Sequence, residues 1–449
     1  MTWRNKLLNL DTKAVIINTL GCSKNRVDSE RLARQIEDAG HRVLFVEKEM
    51  NPSLHGDICI INTCGFIKDA KEESIEAIFD AVEAKKRGAL QQLFVFGCLS
   101  QRYAQTLSSE ILEVDGFFGA NDPIPVLSAL EISMKPHLYC ERKLSTPEHY
   151  AYLKISEGCD RSCAYCAIPL IRGPHLSTPL EMLEREAELL AAKGVKELLL
   201  VAQDTTFYGI DLYKERSLAS LMERLAKING IEWIRLHYAY PAGFPQDVLE
   251  LMAYHPKICS YLDIPLQHIS NKVLSAMRRS IDEAQTRRLL ERIRTLVPGI
   301  CLRTTMMVGH PGEDERAFKQ LMSFVGEACF ERLGAFTYSE EEGTYAARHC
   351  KETISEKVKQ ERYHRLMELQ STISLTYNRS RVGKVERVLF DRQEQRRWIG
   401  RTQKESPEVD GEVYIDINQN EYEDINLTGV FKEVEIQDAG MYDLYGRLV

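Results

Sequence analysis

Three cysteines, Cys159, Cys163 and Cys166, fall within eight residues in SEGCDRSCAYCAIPLIRG, directly after the β-rich run YLKIS. A single loop at the end of a strand can bring three thiolates to one metal centre. A 4Fe–4S cluster ordinarily takes four cysteine ligands, so three leave one iron open, and an open position is likewise what separates catalytic from structural zinc sites. An open iron can chelate the amino and carboxylate groups of S-adenosylmethionine, setting its sulfonium beside an electron donor able to cleave it to an adenosyl radical. The alternative is a zinc loop completed by His149 or His175. Zinc sites favour paired CxxC spacings, and the chain has no second pair.

Three further cysteines are scattered. Cys22 follows VIINTLG, Cys64 follows ICIINT and Cys98 follows LFVFG, each beside a glycine (Gly21, Gly65, Gly97). Each sits at or just past the end of an expected parallel strand, the edge at which open α/β sheets bind ligands, and glycine there permits tight turns and close backbone approach. This pattern predicts a second three-cysteine cluster with one open iron; the alternative is three buried structural thiols. The remaining six, Cys59, Cys140, Cys259, Cys301, Cys329 and Cys350, stand singly and read as small buried hydrophobes.

These residues need elements to position them. From residue 14 to about 135, short β-rich runs alternate with helical patterns, which predicts a parallel sheet covered by helices; Asp28 or Ser29 is placed to cap the first helix and Gly40 to end it. An irregular stretch, KPHLYCERKLSTPEHY, leads to a boundary near Glu148. From Ala151 the alternation resumes for six βα-like units, enough for an open or partial parallel barrel whose chemistry gathers at the carboxyl ends of its strands. A charged helical stretch from about Ser355 to Arg379 then gives way to short strands and turns, the pattern of a small all-β barrel or sandwich. The expected class is α/β, in three parts: an N-terminal open parallel-sheet domain over 12–148, a central partial (β/α)6 barrel with its trailing helix over 149–380, and a small all-β barrel over 381–449.

At 449 residues, 44% hydrophobic and 28% charged with a net charge of −8, the chain reads as globular without a global pull toward nucleic acid or anionic membrane. Its start, MTWRNKLLNLDTK, lacks the apolar core of a secretory signal, and no stretch approaches a membrane span. The expectation is a cytoplasmic protein with no membrane partner, in a reducing compartment where clustered thiols point to metal rather than to disulfides.

The CxxxCxxC loop, with Tyr165 before its third cysteine, resembles the signature of the radical S-adenosylmethionine superfamily. The resemblance implies cofactor or substrate contacts by VGHPGE, with Gly309 and Gly312, and by AQDTTFYG, with Gln203 and Asp204; taken alone, VGHPGE is equally a Gly/Pro turn with Glu313 in the first turn of a helix. His310 and Asp314 depart from the phenylalanine and threonine more usual there. TLGCSKNRVDSE, INTCGFI, GCLSQRY, the CxxxCxxC loop and the all-β tail together are similar to the methylthiotransferase family of radical enzymes across nearly the whole chain. That similarity implies an auxiliary 4Fe–4S cluster on Cys22, Cys64 and Cys98, a radical-generating 4Fe–4S cluster on Cys159, Cys163 and Cys166, and a C-terminal barrel of the TRAM kind.

Two branches of that family differ in substrate. SEGCDRSCAYCAIPLIRGPHLS, VAQDTTFYG, LDIPLQHIS and GRTQKESPEVDG resemble the RimO branch, which modifies an aspartate of ribosomal protein S-twelve, rather than the branch that modifies a tRNA adenosine. Charge argues the same way. Residues 381–449 carry 10 Lys and Arg against 15 Asp and Glu, a net of −5, unsuited to phosphates and suited to a basic protein; a strip of Arg392, Arg396, Arg397 and Arg401 is the exception within it. Direct nucleic-acid binding is therefore not expected. The resemblance implies a reaction using two S-adenosylmethionine molecules, one methylating a sulfur held on the auxiliary cluster and one cleaved to a radical that takes hydrogen from the aspartate β-carbon. It further implies an external reductant such as flavodoxin or ferredoxin, a sulfur donor the sequence does not identify, and cysteine sets that face each other. The non-enzymatic alternative is a metal-stabilised RNA-binding or ribosome-assembly protein with zinc in the CxxxCxxC loop.

Overall fold

A computed structural model describes residues 12–46, 56–416 and 426–449; most of the leading segment read against a secretory signal lies outside them. By contact density the chain forms two units. Of the described residues, the first comprises those up to Ser145 together with Glu157–Asp160 and Ala167–His175, and the second comprises Thr146–Ser156, Arg161–Cys166 and those from Leu176 onward.

In the first unit, β1 (Ala14–Thr19), β2 (Arg42–Val46), β3 (Ile58–Thr63), β4 (Gln92–Gly97) and β5 (Gly116–Phe117) form one parallel sheet in the order β2-β1-β3-β4-β5. The central strands are apolar on both faces, as a parallel sheet covered on both sides requires. Ile16, Cys59, Ile61, Leu93 and Val95 point to one layer, which is filled by Ile78, Ala81 and Val82 of α2 (Lys68–Lys86). Val15, Ile17, Ile58, Ile60, Phe94 and Phe96 point to the other, filled by Leu32, Ala33 and Ile36 of α1 (Ser23–Asp38).

The expected cap of α1 is corrected. The helix begins at Ser23 with Cys22 as its N-cap residue, and Asp28 and Ser29 lie inside it. Ser29 is not free to cap, because its hydroxyl accepts from Thr19 Oγ1 at 2.7 Å and from Asn62 Nδ2 at 2.9 Å, pinning α1 to the strand ends. Gly40 follows the helix at φ +93°, as its position implied.

In the second unit, β6 (Tyr150–Lys154) starts the larger sheet. Two-residue strands β7 (Ser156–Glu157) and β8 (Leu176–Ser177) pair with each other; β9 (Glu197–Val201), β10 (Trp233–Leu236), β11 (Ile258–Asp263), β12 (Cys301–Val308) and β13 (Arg332–Thr337) complete a six-stranded parallel sheet, β13-β12-β11-β10-β9-β6. Successive strands are neighbours throughout, the order of an open barrel of six units. The closed barrel contains β14 (Val385–Glu394), β15 (Arg397–Arg401), β16 (Val413–Asp416), β17 (Phe431–Ala439) and β18 (Leu444–Leu448), ordered β14-β15-β16-β18-β17. Phe390, Trp398, Val434, Ile436 and Leu444 fill it.

Buried ion pairs join the two sheets of this unit. Arg401 of β15 donates to Glu197 of β9 at 2.8 Å and to Asp391 of β14 at 2.6 Å, and Arg235 of β10 donates to Glu197 at 2.7 Å. Glu405 binds Arg332 and Arg381. The helix Glu356–Arg379 buries a polar stripe of Lys359, Arg362, Gln370, Ser374 and Asn378. Each of these has a partner, Asn378 and Ser374 both accepting from Arg332, as burial of polar groups demands.

Cys59, Cys259 and Cys301 are fully buried, in keeping with packing roles. Cys329 is exposed and ends the helix Glu315–Ala328 in the left-handed conformation, φ +49°, so its place is a helix terminus rather than the core.

Candidate functional site

The order β2-β1-β3-β4-β5 reverses direction at β1 and β3, the point where open α/β sheets leave a crevice for ligands. Cys22 follows β1, Cys64 follows β3 and Cys98 follows β4, so the fold brings the three scattered cysteines to one edge. Burial pushes the Cys64 thiol up to about 12, and Cys22 and Cys98 push it further in the same direction, which makes the three electrostatic neighbours. Burial likewise raises Cys98, while the nearby Arg172 guanidinium draws it down. Cys22 is the N-cap of α1 and Cys98 the first residue of α3 (Cys98–Glu110), so both thiols sit at strand-to-helix turns.

The backbone around these thiols leaves no room for side chains. A Cβ on Gly21 would stand 2.9 Å from Cys64 Sγ; one on Gly65 would stand 2.6 Å from Leu99 N; one on Gly97, at φ +107°, would stand 2.6 Å from Thr63 O. Among the described residues no three His, Cys, Asp or Glu side chains converge on a single-ion site. A cubane carries its irons at separate corners, so it takes thiols that are neighbours without meeting at a point. The donor set and its cradle fit such a group.

In the CxxxCxxC loop, Cys159 belongs to the first unit and donates its N–H to Gly173 O at 3.1 Å; Cys163 and Cys166 belong to the second. There the loop is pinned by Ala164, whose N–H donates to Met277 O at 2.9 Å and whose carbonyl accepts from Ala346 N at 2.7 Å. Arg279 Nη1 lies 3.5 Å from Cys163 Sγ, its Nη2 donates to Pro265 O at 2.6 Å, and its guanidinium covers the Tyr240 ring at 4.2 Å. A half-buried cation fixed against a thiol suits a thiolate ligand. His149, a candidate fourth zinc ligand, is taken by Asp391 at 2.7 Å.

The other expected residues lie at the carboxyl ends of the second unit's strands. Asp204 follows β9 but is committed elsewhere: one oxygen accepts from the Thr206 N–H and hydroxyl, the other from Arg161 Nε at 2.8 Å. Arg161 is stacked over Tyr240 at 4.1 Å and Phe207 at 4.8 Å. Gln203, the residue before Asp204, is half-buried. Gly309 and Gly312 follow β12 with φ of +78° and +96°. The Gly309 N–H donates to Glu313 Oε2 at 2.8 Å, and Arg362 donates to Glu313 Oε1 at 2.7 Å. Burial raises Glu313 to about 7 against the pull of Arg362. His310 is fully buried; its Nδ1 faces Pro311 O at 2.9 Å and its ring packs edge-on against Tyr338. His268, also fully buried, has Nε2 3.6 Å from Glu313 Oε2. Burial depresses both histidines, His268 to about 3 and His310 to about 4, so both are neutral at pH 7.

Arg161, Arg172 and Arg279 escaped the sequence reading. Arg161 and Arg172 carried a weak signal, lying within or just past the cysteine loop; Arg279 carried none, being 113 residues beyond Cys166. The basic strip is corrected in part: Arg401 is buried among carboxylates, Arg392 is bound by Glu394 and Glu412, and Arg397 by Asp416.

Residues 14–119 match the uncharacterized protein family UPF0004, residues 153–325 the radical SAM superfamily, and residues 382–449 the TRAM domain. Among curated proteins, the chain is 50% identical to the ribosomal protein uS12 methylthiotransferase RimO of Bacteroides thetaiotaomicron, over 97% of this chain and 98% of the relative. It is 51% identical to the protein of that name from Porphyromonas gingivalis, over 97% and 99%. Among solved structures, TsrM of Kitasatospora setae, a radical S-adenosylmethionine methyltransferase solved with tryptophan and a SAM analogue, matches with a TM-score of 0.56, 14% identity and coverage of 72% and 73%. The cobalamin-dependent radical enzyme OxsB matches with a TM-score of 0.51, 13% identity and coverage of 81% and 56%. These two likenesses concern fold.

Proposed function

This chain belongs to the RimO family of ribosomal protein uS12 methylthiotransferases, and on that premise we propose that it adds a methylthio group to the β-carbon of an aspartate in that ribosomal protein, using two iron–sulfur clusters. It is a radical SAM enzyme, with an iron–sulfur cluster and S-adenosylmethionine as cofactors. The observation that carries the two-cluster reading is the gathering of Cys22, Cys64 and Cys98 at the switch point of the first sheet, apart in sequence from the CxxxCxxC loop.

When bound, a reduced cluster cleaves S-adenosylmethionine to a radical able to abstract hydrogen from unactivated carbon. The protein supplies placement. Cys159, Cys163 and Cys166 would hold the radical-generating cluster, with Arg279 balancing the Cys163 thiolate from a fixed position. Cys22, Cys64 and Cys98 would hold the auxiliary cluster that carries the sulfur to be transferred. Gly309 and Gly312, left-handed and without side chains, shape the loop after β12, Gly309 making room for the Lys359 stem, and Glu313 fixes that loop through the Gly309 N–H. Asp204 acts through Arg161, orienting its guanidinium rather than meeting a ligand. A role for Gln203 in cofactor contact belongs to the same proposal. Among the described residues no helix is long and apolar enough to cross a membrane, and the proposed working place is the cytoplasm, with a flavodoxin- or ferredoxin-like reductant.

The test is incubation of the anaerobically reconstituted protein with S-adenosylmethionine and a reductant, offered either a peptide carrying the substrate aspartate or a tRNA stem-loop. Methylthiolated peptide with unmodified RNA is expected, and the reverse would overturn the substrate. About eight irons per chain are expected from two cubanes; zinc alone would overturn the enzymatic reading.

A further inference from the structure

Arg172 lies six residues past Cys166, at the end of the short helix Ile168–Arg172, and is buried in the first unit at 4% exposure. Its Nη2 donates to Asn25 Oδ1 at 2.6 Å, and its Nη1 to Asp28 Oδ2 and Glu157 Oε2 at 3.0 Å each and to Ala120 O at 3.2 Å. Asn25 is fully buried. Its amide donates to Leu20 O at 3.0 Å and Thr63 O at 3.1 Å, the chain just past β1 and the end of β3, while its Oδ1 lies 3.8 Å from Cys98 Sγ. The same carboxamide oxygen thus faces the guanidinium and a thiol of the three-cysteine edge.

An arginine between two carboxylates is an ordinary buried ion pair when nothing else adjoins it. Here Cys98 and Cys22 both lie within its field, and both act on it in turn. Three thiolates and the sulfides they hold concentrate negative charge in a place poorly reached by water, so a fixed cation beside them offsets that charge. The fork of a guanidinium, shared among Asn25, Asp28 and Glu157, does this with a geometry that the point charge of lysine lacks.

We propose that Arg172 is a positioning residue of the auxiliary site, taking up the Asn25 oxygen beside Cys98 so that Asn25 braces the strand ends, and lending positive charge to the cluster sulfur so that the reduced cluster is stabilised. The inference rests on the reading that Cys22, Cys64 and Cys98 hold a cluster. Charge and hydrogen bonds around the sulfurs are among the factors that set cluster potentials, and reduction adds one electron. Loss of the cation therefore moves the potential negative, and loss of a neighbouring carboxylate moves it positive.

The experiment uses the full chain carrying Cys159→Ala, Cys163→Ala and Cys166→Ala together, reconstituted anaerobically, so that the auxiliary cluster is read alone by iron content and a potential titration followed by electron paramagnetic resonance. In that background, Arg172→Met is expected to shift the midpoint negative and alter the line shape, Arg172→Lys to shift it partway, and Asp28→Asn to shift it the opposite way. A residue that merely braces the fold would not produce shifts of opposite sign. If Arg172→Met takes up no iron, the Lys and Asn variants carry the test. Unchanged potentials and spectra in both would overturn the inference while leaving the cluster reading intact. Failure of the parent triple variant to hold any cluster would overturn the three-cysteine reading, and this inference with it.

Discussion

Six cysteine side chains divide into two groups with separable losses. Alanine at Cys159, Cys163 or Cys166 is expected to abolish reductive cleavage of S-adenosylmethionine, measured as 5′-deoxyadenosine, because a cubane short of a protein ligand is not held. Alanine at Cys22, Cys64 or Cys98 is expected to leave cleavage in place and remove methylthiolated peptide. Cleavage that persists in the first group would count against the assignment. His310 makes a different prediction, about stability. Its pKa falls from 6.5 unfolded to about 4 folded because burial disfavours the imidazolium. The unfolded chain therefore binds the extra proton first, and the stability this residue allows is complete above pH 6.5 and lost as pH falls toward 4. Between pH 7.5 and 5 the loss attributable to this one site is about 2 kcal/mol. His310→Phe, which keeps an aromatic ring against Tyr338, is expected to remove that increment, read as a smaller acid shift of the urea midpoint. His268, depressed to about 3, adds to the wild-type acid sensitivity, and Glu313, raised to about 7, opposes it, so the comparison of variants isolates what the absolute curve does not.

Elements place these side chains through turns more than through the strands themselves. Each scattered cysteine follows a buried parallel strand and, in two cases, opens a helix, so the strand-to-helix turn decides where the thiol points. Gly97 is the tightest of these turns. Its backbone, φ +107° and ψ −163°, lies in a region open essentially to glycine, and a Cβ would meet the Thr63 backbone. Gly97→Ala is expected to cost about 2–4 kcal/mol by combining backbone strain with a clash that backbone atoms cannot relieve, and to reduce iron bound by the triple Cys→Ala protein. Gly88→Ala is the control: its φ is +78° with nothing within 4 Å of the added methyl, so about 1 kcal/mol is expected with iron content unchanged. Equal losses at the two positions would remove the special role given to the Gly97 turn.

Charge is the property of the whole molecule that bears on its substrate. The C-terminal barrel carries a net of −5, and its Arg392, Arg397 and Arg401 are committed to carboxylates elsewhere in the barrel or to β9, which withdraws that positive charge from phosphates. Glu433 and Asp438 of β17 are exposed. Reversing both to lysine is expected to raise KM for the basic protein substrate severalfold at low ionic strength with kcat unchanged, and the difference should fade as salt screens the field. A change in kcat of similar size, or one indifferent to salt, would mean that the barrel acts otherwise than by attraction.

Much of this was legible in the chain because it depends on local pattern. The period of apolar residues marked strands and helices, the CxxxCxxC spacing placed three thiols in one loop, and glycines beside Cys22, Cys64 and Cys98 marked turns. What residues far apart do together was not legible. The strand order that gathers the three cysteines, the N-cap position of Cys22 in place of Asp28 or Ser29, the commitment of Asp204 to Arg161 and the placing of Arg172 and Arg279 beside thiols all depend on contacts between segments distant in sequence. An arginine carries no local sign of its partner, because a guanidinium is buried only where tertiary packing supplies carboxylates and acceptors to receive it. Sequence alone therefore determined the element pattern and the thiol inventory, while tertiary structure decided which charges stand beside the thiols.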